Sequence, residues 1–468
     1  MNVFDTIAAV STPRGKGGIA VIRISGDKAA EIADKVFKPK SGRPLSETEP
    51  NRQVWGDIFA SETDGSLVNI DDGMGVYFKA PRSFTGEDTV EISCHGGILV
   101  TRAVLEAVLS AGARAAEAGE FTRRAFISGR MTLSKAGALG ELLEAETERQ
   151  MILSRSGVRG VLSDKIEELY GRMNNVLSSI YAKIDFPEED LADMGRDEIE
   201  GEIESIRAEA VRLAATYKTG RAVKEGIRTV ICGKTNAGKS SLYNMIVGRE
   251  AAIVTDIEGT TRDLLFETAA FGGVTLRLCD TAGLRETDDK VESIGVERAR
   301  SEIKDAELIL AVFDGTREPD SDDEELLREL SSMQGTVIPV INKSDIITTN
   351  KGGIFDLLEA KGMSEFVLIS AKSGEGREAL ESRIDKIFTD GELDLRYDAV
   401  ISDAGQFSAV SRAIEGMDNV LSALRCGMAL DLCCIDAEEA MRELGEINGR
   451  NVSEDIVASI FSRFCVGK

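Results

Sequence analysis

The chain of 468 residues is 42% hydrophobic and 29% charged, an ordinary soluble balance with room for two to four domains. Its net charge of −25 excludes a nucleic-acid binder held by a generally basic surface, and its single histidine excludes a Ser-His-Asp hydrolase and any histidine-rich metal site. Seven scattered cysteines with no C-x-x-C predict reduced thiols. With no long apolar run and no basic-then-apolar leader, they predict a cytoplasmic protein with no membrane contact.

The acidity is uneven. Residues 1–130 carry 16 Lys and Arg against 17 Asp and Glu, so nearly all of the excess lies beyond them and any RNA contact is local or supplied by a partner. This first stretch reads as an α/β domain. The β-branched run Ile19–Ser25 predicts a buried strand, and further strands are expected over Trp55–Phe59, Asp72–Lys79 and Asp88–Cys94. Arg23 sits inside an apolar run, so its guanidinium needs an acidic partner or an anionic ligand. Ser83–Asp88 reads as a loop. His95-Gly96-Gly97 turns into a helix over Ile98–Ser110, where a lone histidine is more often a structural hydrogen bonder than a catalyst.

From about Met131 the pattern is helical. Leu162, Ile166, Leu169, Met173, Leu177, Ile180 and Ile184 fall on one helical face, and Pro187 ends that helix. Ile199, Ile203, Ile206, Ala210, Leu213 and Tyr217 align on a second. Helical spacing resumes near Ala404 and runs almost to the end. Helix, interruption, helix predicts a domain inserted into a helical one.

The interruption carries the chemistry. Gly233-Lys234-Thr235-Asn236-Ala237-Gly238-Lys239-Ser240 matches G-x-x-x-x-G-K-[ST], follows the apolar strand Ile227–Cys232 and opens a helix at Ser241. Glycines let backbone N–H groups converge on phosphate oxygens and the helix N-terminus adds partial positive charge, while Lys239 reaches the β- and γ-phosphates and Ser240 ligates Mg²⁺. Thr260-Thr261 follows, with Thr261 positioned for a second Mg²⁺ contact. Asp280-Thr281-Ala282-Gly283 ends an apolar strand, as a Mg²⁺-supporting carboxylate and a γ-phosphate-sensing glycine require. Asn342-Lys343-Ser344-Asp345 follows the strand Val337–Ile341; its carboxylate accepts the two N–H groups that guanine has and adenine lacks, and such a site discriminates by about 10⁴–10⁵. Ser370-Ala371-Lys372 completes the set behind Phe366–Ile369. Five pieces in this order imply a GTP-hydrolysing domain.

The flanks carry a resemblance. Ser83–Asp88 with His95-Gly96-Gly97, the helix-ending Asp185-Phe186-Pro187-Glu188-Glu189-Asp190, and the terminal Phe464-Cys465-Val466-Gly467-Lys468 resemble the tRNA-modification GTPases of the MnmE (TrmE) family over the whole chain. Gly467 and Lys468 fit a prenylation signal poorly. The resemblance implies an N-terminal α/β folate-binding and dimerisation domain (1–125), a discontinuous helical domain (126–222 and 392–468) and an inserted Ras-like P-loop GTPase domain (223–391). It implies 5,10-methylene- or 5-formyl-tetrahydrofolate bound by Arg23, Glu87, Arg130 (where relatives usually have lysine) and Lys468. Cys465 lies near that folate, either reacting or packed beside it.

The resemblance also bears on hydrolysis. Leu284 stands where a Ras-like enzyme has the water-orienting glutamine, and no arginine finger is evident. In enzymes similar to this chain K⁺ takes the finger's place, held by Asn236 and by the switch residues Thr255, Ile257 and Thr260, in a segment (with Asp256, Glu258 and Gly259) that also closes over GTP. Glu292 takes the water-orienting role beside Lys239 and Asp280. Thr235 replaces a common proline. The implied activity, with an FAD-dependent partner of the MnmG (GidA) type in a heterotetramer, is transfer of a one-carbon unit to C5 of the wobble uridine of certain tRNAs, completed by glycine or ammonia. No G-x-G-x-x-G holds FAD on this chain. The alternative is a ribosome-assembly or regulatory GTPase switch, which calls for an RNA-binding module that the acidic helical C-terminus does not display. A metabolic P-loop kinase is disfavoured by Asn342–Asp345.

Overall fold

The β-branched run Ile19–Ser25 forms the strand its composition predicts, and a seven-stranded sheet assembles around it. The computed structural model describes residues 5–13, 15–61, 65–185, 194–248, 266–279, 305–333, 335–347, 353–389, 391, 393–450, 461, 464 and 467. The first layer comprises β1 (Ile7–Val10), β2 (Ile19–Ser25), α1 (Ala29–Val36), β3 (Phe37–Pro39), β4 (Val54–Ser61), β5 (Leu67–Phe78), β6 (Thr89–His95), α2 (Ile98–Ser110), β7 (Arg114–Ala115) and α3 (Glu120–Ile127). Strand order is β3-β4-β5-β6-β2-β1-β7, with only the β1–β7 edge parallel. Ile22, Ile24, Val90 and Ile92 bury one face of the sheet against Ile32 and Val36 of α1 and Val104 and Val108 of α2. β5 starts five residues before the expected Asp72, because Asn69 and Asp71 pair with β4 across a register shift despite their polarity.

The helical stretch follows as α4 (Leu133–Glu144), α5 (Glu148–Arg159), α6 (Val161–Asp185), α7 (Arg196–Ala215) and α8 (Tyr217–Lys224). Leu162, Ile166, Leu169, Met173, Leu177 and Ile180 are buried as the spacing predicts, whereas Ile184 at the end of the helix is 39% exposed. Pro187 lies outside the described residues. Tyr217 departs from the expected second stripe. The helix breaks at Thr216, whose hydroxyl donates to Leu213 O (2.7 Å) and accepts from Ile401 N (3.0 Å), and Tyr217 opens α8, stacked on Phe407 at 4.5 Å.

The chain then forms β8 (Ile227–Gly233), α9 (Lys239–Val247), β9 (Phe266–Phe271), β10 (Val274–Cys279), β11 (Leu308–Asp314), α10 (Ser321–Leu330), β12 (Thr336–Asn342), α11 (Ile354–Ala360), β13 (Val367–Leu368) and α12 (Arg377–Phe388). Their sheet has the order β13-β12-β11-β8-β10-β9, parallel except for the β9–β10 hairpin, with apolar clusters on both faces. Strands buried on both faces read as continuous Val, Ile and Leu runs, which is why β8, β11 and β12 are so apolar. Helices α13 (Ala404–Arg425) and α14 (Leu430–Ile447) complete the chain. Two compact units result: residues 1–144, 157–204 and 415–468, and residues 145–156 and 205–414.

His95 takes the structural role expected of it. Its backbone N–H and its Nδ1 both reach the Asp71 carboxylate at 2.8 Å, tying β6 to β5. The hydrogen bond to Asp71, then its charge, raises the His95 pKa above the ordinary value. A raised folded value means that the pair's contribution to stability is whole below about pH 6.5 and is lost as pH rises through that elevated value. As the only histidine, it gives one imidazole C2–H resonance. That resonance should titrate above about 6.5, and Asp71→Asn should move the midpoint back toward it; a midpoint indifferent to the substitution would rule out the pair.

Candidate functional site

The phosphate loop is built where β8 hands over to α9. Gly233 ends the strand, Asn236 adopts a left-handed φ of 60°, and Gly238 (φ 99°) begins the helix. A β-carbon on Gly238 would lie 1.9 Å from Asn342 Nδ2, so only glycine lets the loop pass that close. Lys239 Nζ donates to the carbonyls of Gly233 (2.9 Å) and Lys234 (2.8 Å) inside the loop. Burial depresses its pKa below the usual lysine value, a cost that an anion placed there offsets. Asn236, Ser240 and Ser241 are exposed on the loop and at the head of α9, while Ala237 is buried beneath it.

Asn342 joins this loop to the stretches expected to recognise the base. Only 3% exposed, it donates from Nδ2 to Ala237 O at 2.9 Å and accepts Ala371 N at Oδ1 at 3.0 Å. One amide thus connects three stretches that the sequence singles out separately. Lys343 turns left-handed (φ 69°) and its ammonium reaches Asp314 Oδ2 at 2.5 Å. Burial works against the Asp314 charge, but the Lys343 ammonium and the Thr316 hydroxyl and amide hold its pKa below the ordinary carboxylate value. Asp345 lies exposed in the short 3-10 turn Ser344–Ile346, and Ser344 N donates to Ile369 O at 3.0 Å. Ser370 is buried, bridged to Glu375, and leaves Lys372 exposed beyond it. Thr255, Asp256, Ile257, Glu258, Gly259, Thr260, Thr261, Asp280, Thr281, Ala282, Gly283 and Glu292 lie outside the described residues.

A second cluster forms on the N-terminal sheet. Arg23 finds an acidic partner, Glu91 (Nε–Oε1 2.8 Å), and lies over the rings of Phe84 (5.2 Å) and Phe121 (5.7 Å). Glu87 accepts from Ser25 Oγ (2.8 Å) and from Arg124 Nη1 (3.2 and 3.3 Å). Arg130 borders the same loop: a β-carbon on Gly86 would lie 3.1 Å from its Cγ. From the far end of the sequence, Phe461 and Phe464 pack against Leu133 and Ala136, and Gly467 O accepts Ser11 Oγ at 3.0 Å. Cys465 and Lys468 lie outside the described residues. Arg124 escaped the sequence reading. It is 5% exposed and shared among Asp5, Glu87 and Glu120, and its signal was an arginine four residues after a glutamate, between Phe121 and Phe126.

Comparison with known proteins agrees with this layout. The family model described as the N-terminus of the GTP-binding protein TrmE matches residues 6–130, and that described as the MnmE helical domain matches 133–465, a span with both nucleotide loops in its middle. The curated tRNA modification GTPase MnmE of Clostridioides difficile (strain 630) is 38% identical over 100% of both chains, and that of Symbiobacterium thermophilum is 40% identical over 99% of both. This chain belongs to the MnmE family. A solved Era structure from Aquifex aeolicus, with bound GDP and aluminium fluoride, is 26% identical over 41% of this chain and 67% of its own, and its TM-score of 0.29 leaves the assignment to the full-length relatives. The MnmE architecture is accordingly an N-terminal α/β domain, a helical domain and an inserted P-loop G domain.

In this MnmE-family chain Asn342 links the loop after β8 to the loop after β13. Asn342→Ala removes two hydrogen bonds and leaves the Ala237 carbonyl and the Ala371 N–H without them, a loss of about 2–3 kcal/mol. GTP affinity should fall on the order of a hundredfold by this reckoning, measured by calorimetry; an affinity within twofold of wild type would show that the loops hold without it.

Proposed function

We propose that this chain is a potassium-activated GTPase that works with a flavin-bearing partner to place a (carboxymethyl)aminomethyl group on C5 of the wobble uridine, position 34, of certain tRNAs, in the cytoplasm. Its full-length kinship carries the reading. The return of Gly467 to the end of β1 supports it, because β1 pairs with the strand that bears Arg23. The proposed boundaries are 1–125 for the folate and dimerisation domain, 126–222 with 392–468 for the helical domain, and 223–391 for the G domain.

GTP is held through the loop N–H groups and Lys239, and guanine is selected by Asp345. Ser240 and Thr261 are the residues for Mg²⁺, and Asp280 supports it. Asn236, exposed on its left-handed turn, presents its side-chain oxygen for K⁺ together with Thr255, Ile257 and Thr260. That ion supplies positive charge where charge develops between the β- and γ-phosphates. Glu292 orients the attacking water. Glu87 offers the acceptor that the N–H donors of a pterin need, and Arg23, Arg130 and Lys468 are cations for its carboxylates. Exposed Ile19, Ile98 and Leu99, beside the Gly17–Gly96 backbone bond, give the N-terminal domain an apolar surface for pairing with a second copy. The flavin partner is of the MnmG (GidA) type.

The test is mass spectrometry of tRNA nucleosides from cells with and without the protein. We expect 5-(aminomethyl)-type wobble uridines to disappear with it and to return with wild type but not with Lys239→Ala. An unchanged profile would discard the modification chemistry and favour a GTPase switch. Separately, Asn236→Ala should abolish potassium stimulation of hydrolysis while GTP still binds, and persisting stimulation would remove the ion from that residue.

A further inference from the structure

The phosphate loop is also fastened from its outer side, at Lys234. The backbone carbonyl of Lys234 accepts Lys239 Nζ at 2.8 Å. Its own ammonium reaches away from the loop to the head of α10, where it bonds Asp320 and lies 3.1 Å from Asp322 Oδ2 and 3.7 Å from Asp323 Oδ2. These carboxylates are held in place by other bonds. Asp320 caps α10, accepting from Asp322 N and Asp323 N, while Asp323 Oδ2 accepts Asp320 N at 3.1 Å. Arg317 braces the far side, 2.8 Å from Asp323 Oδ1 and 3.3 Å from Asp320 Oδ2. At the other end of the same segment Asp314 holds Lys343 of the guanine motif at 2.5 Å.

We propose that residues 314–323 are a positioning element for the nucleotide, in which the acidic head of α10 holds Lys234 as a strut and thereby sets the rate of nucleotide release. A triphosphate would draw any mobile ammonium nearby toward itself. With three carboxylates around it, Lys234 stays outside the phosphate site, and its carbonyl keeps Lys239 in register. The inference rests on the GTP site and needs none of the tRNA chemistry. Each partly exposed pair is individually weak, so the expected effect is modest: about two- to fivefold faster release when the strut is cut.

The experiment follows release of a fluorescent GDP analogue from the full chain by stopped flow. Asp322→Asn is the cleanest variant, because this carboxylate takes no part in the cap of α10. Asp322→Asn and Lys234→Gln should each accelerate release, their double variant should be no faster than Lys234→Gln, and Lys234→Arg should restore the wild-type rate. All should keep the wild-type melting temperature. Wild-type release from both single variants, or fully additive effects in the double, would overturn the strut. Retention of nucleotide by Lys239→Ala, run alongside, would instead indict the nucleotide site itself.

Discussion

Three loops at one edge of the parallel sheet meet at one buried side-chain amide. Asn342 spends its donor on the phosphate loop and its acceptor on the loop after β13, and it sits where a β-carbon on Gly238 would have to be. Such an amide tolerates little displacement. A buried donor or acceptor left without a partner costs more than the bond itself is worth, so the two loops share one geometry or neither holds. The parallel strands β8, β11 and β12 supply the fixed spacing that this requires, each ending at the same edge of the sheet with its loop beyond it.

That rigid edge also explains how a chain with a net charge of −25 binds a polyanion. The acids are held by particular cations. Lys234 occupies Asp320 and Asp322, Arg317 occupies Asp323, and Lys343 occupies Asp314. The Asp320 pKa is drawn down to about 2, chiefly by its bond to Lys234, so this carboxylate stays ionised beside the loop across the physiological range. Lys239 is the ammonium that points into the loop, and its partial burial lowers its pKa. Local arrangement, rather than net charge, decides what this surface accepts.

The sequence was most informative where chemistry forces a pattern. The strand Ile19–Ser25 and the helix Ile98–Ser110 appear with the bounds their residues predict, and the phosphate loop lies between strand and helix as expected, although the strand runs through Gly233 and the helix already starts at Lys239. It was least informative where elements are too short for a period, as in β1, β3 and β7. It also misled where polar residues pair in a strand, as Asn69 and Asp71 do in β5, and where a helix ends without a glycine or proline, as α7 does at Ala215 before Tyr217 opens α8. Long-range ion pairs leave no local trace. Arg124 with Glu87, and Lys234 with Asp320, join residues far apart in sequence through side chains whose type alone names no partner.

The end of the chain shows how one residue type can commit a distant segment. Gly467 has a φ of 105°, and a β-carbon there would stand 2.2 Å from the carbonyl of Val10. Any other residue would therefore face both an unfavourable backbone conformation and a collision with β1. With glycine the segment closes, its carbonyl accepting Ser11 Oγ while Phe461 and Phe464 bury their rings against α4. Two aromatic side chains buried at about 1.5–3 kcal/mol each contribute more than one hydrogen bond at about 0.5–1.5 kcal/mol, so the rings carry the larger part of the docking. Gly467 and the end of β1, far apart in sequence, thereby become neighbours.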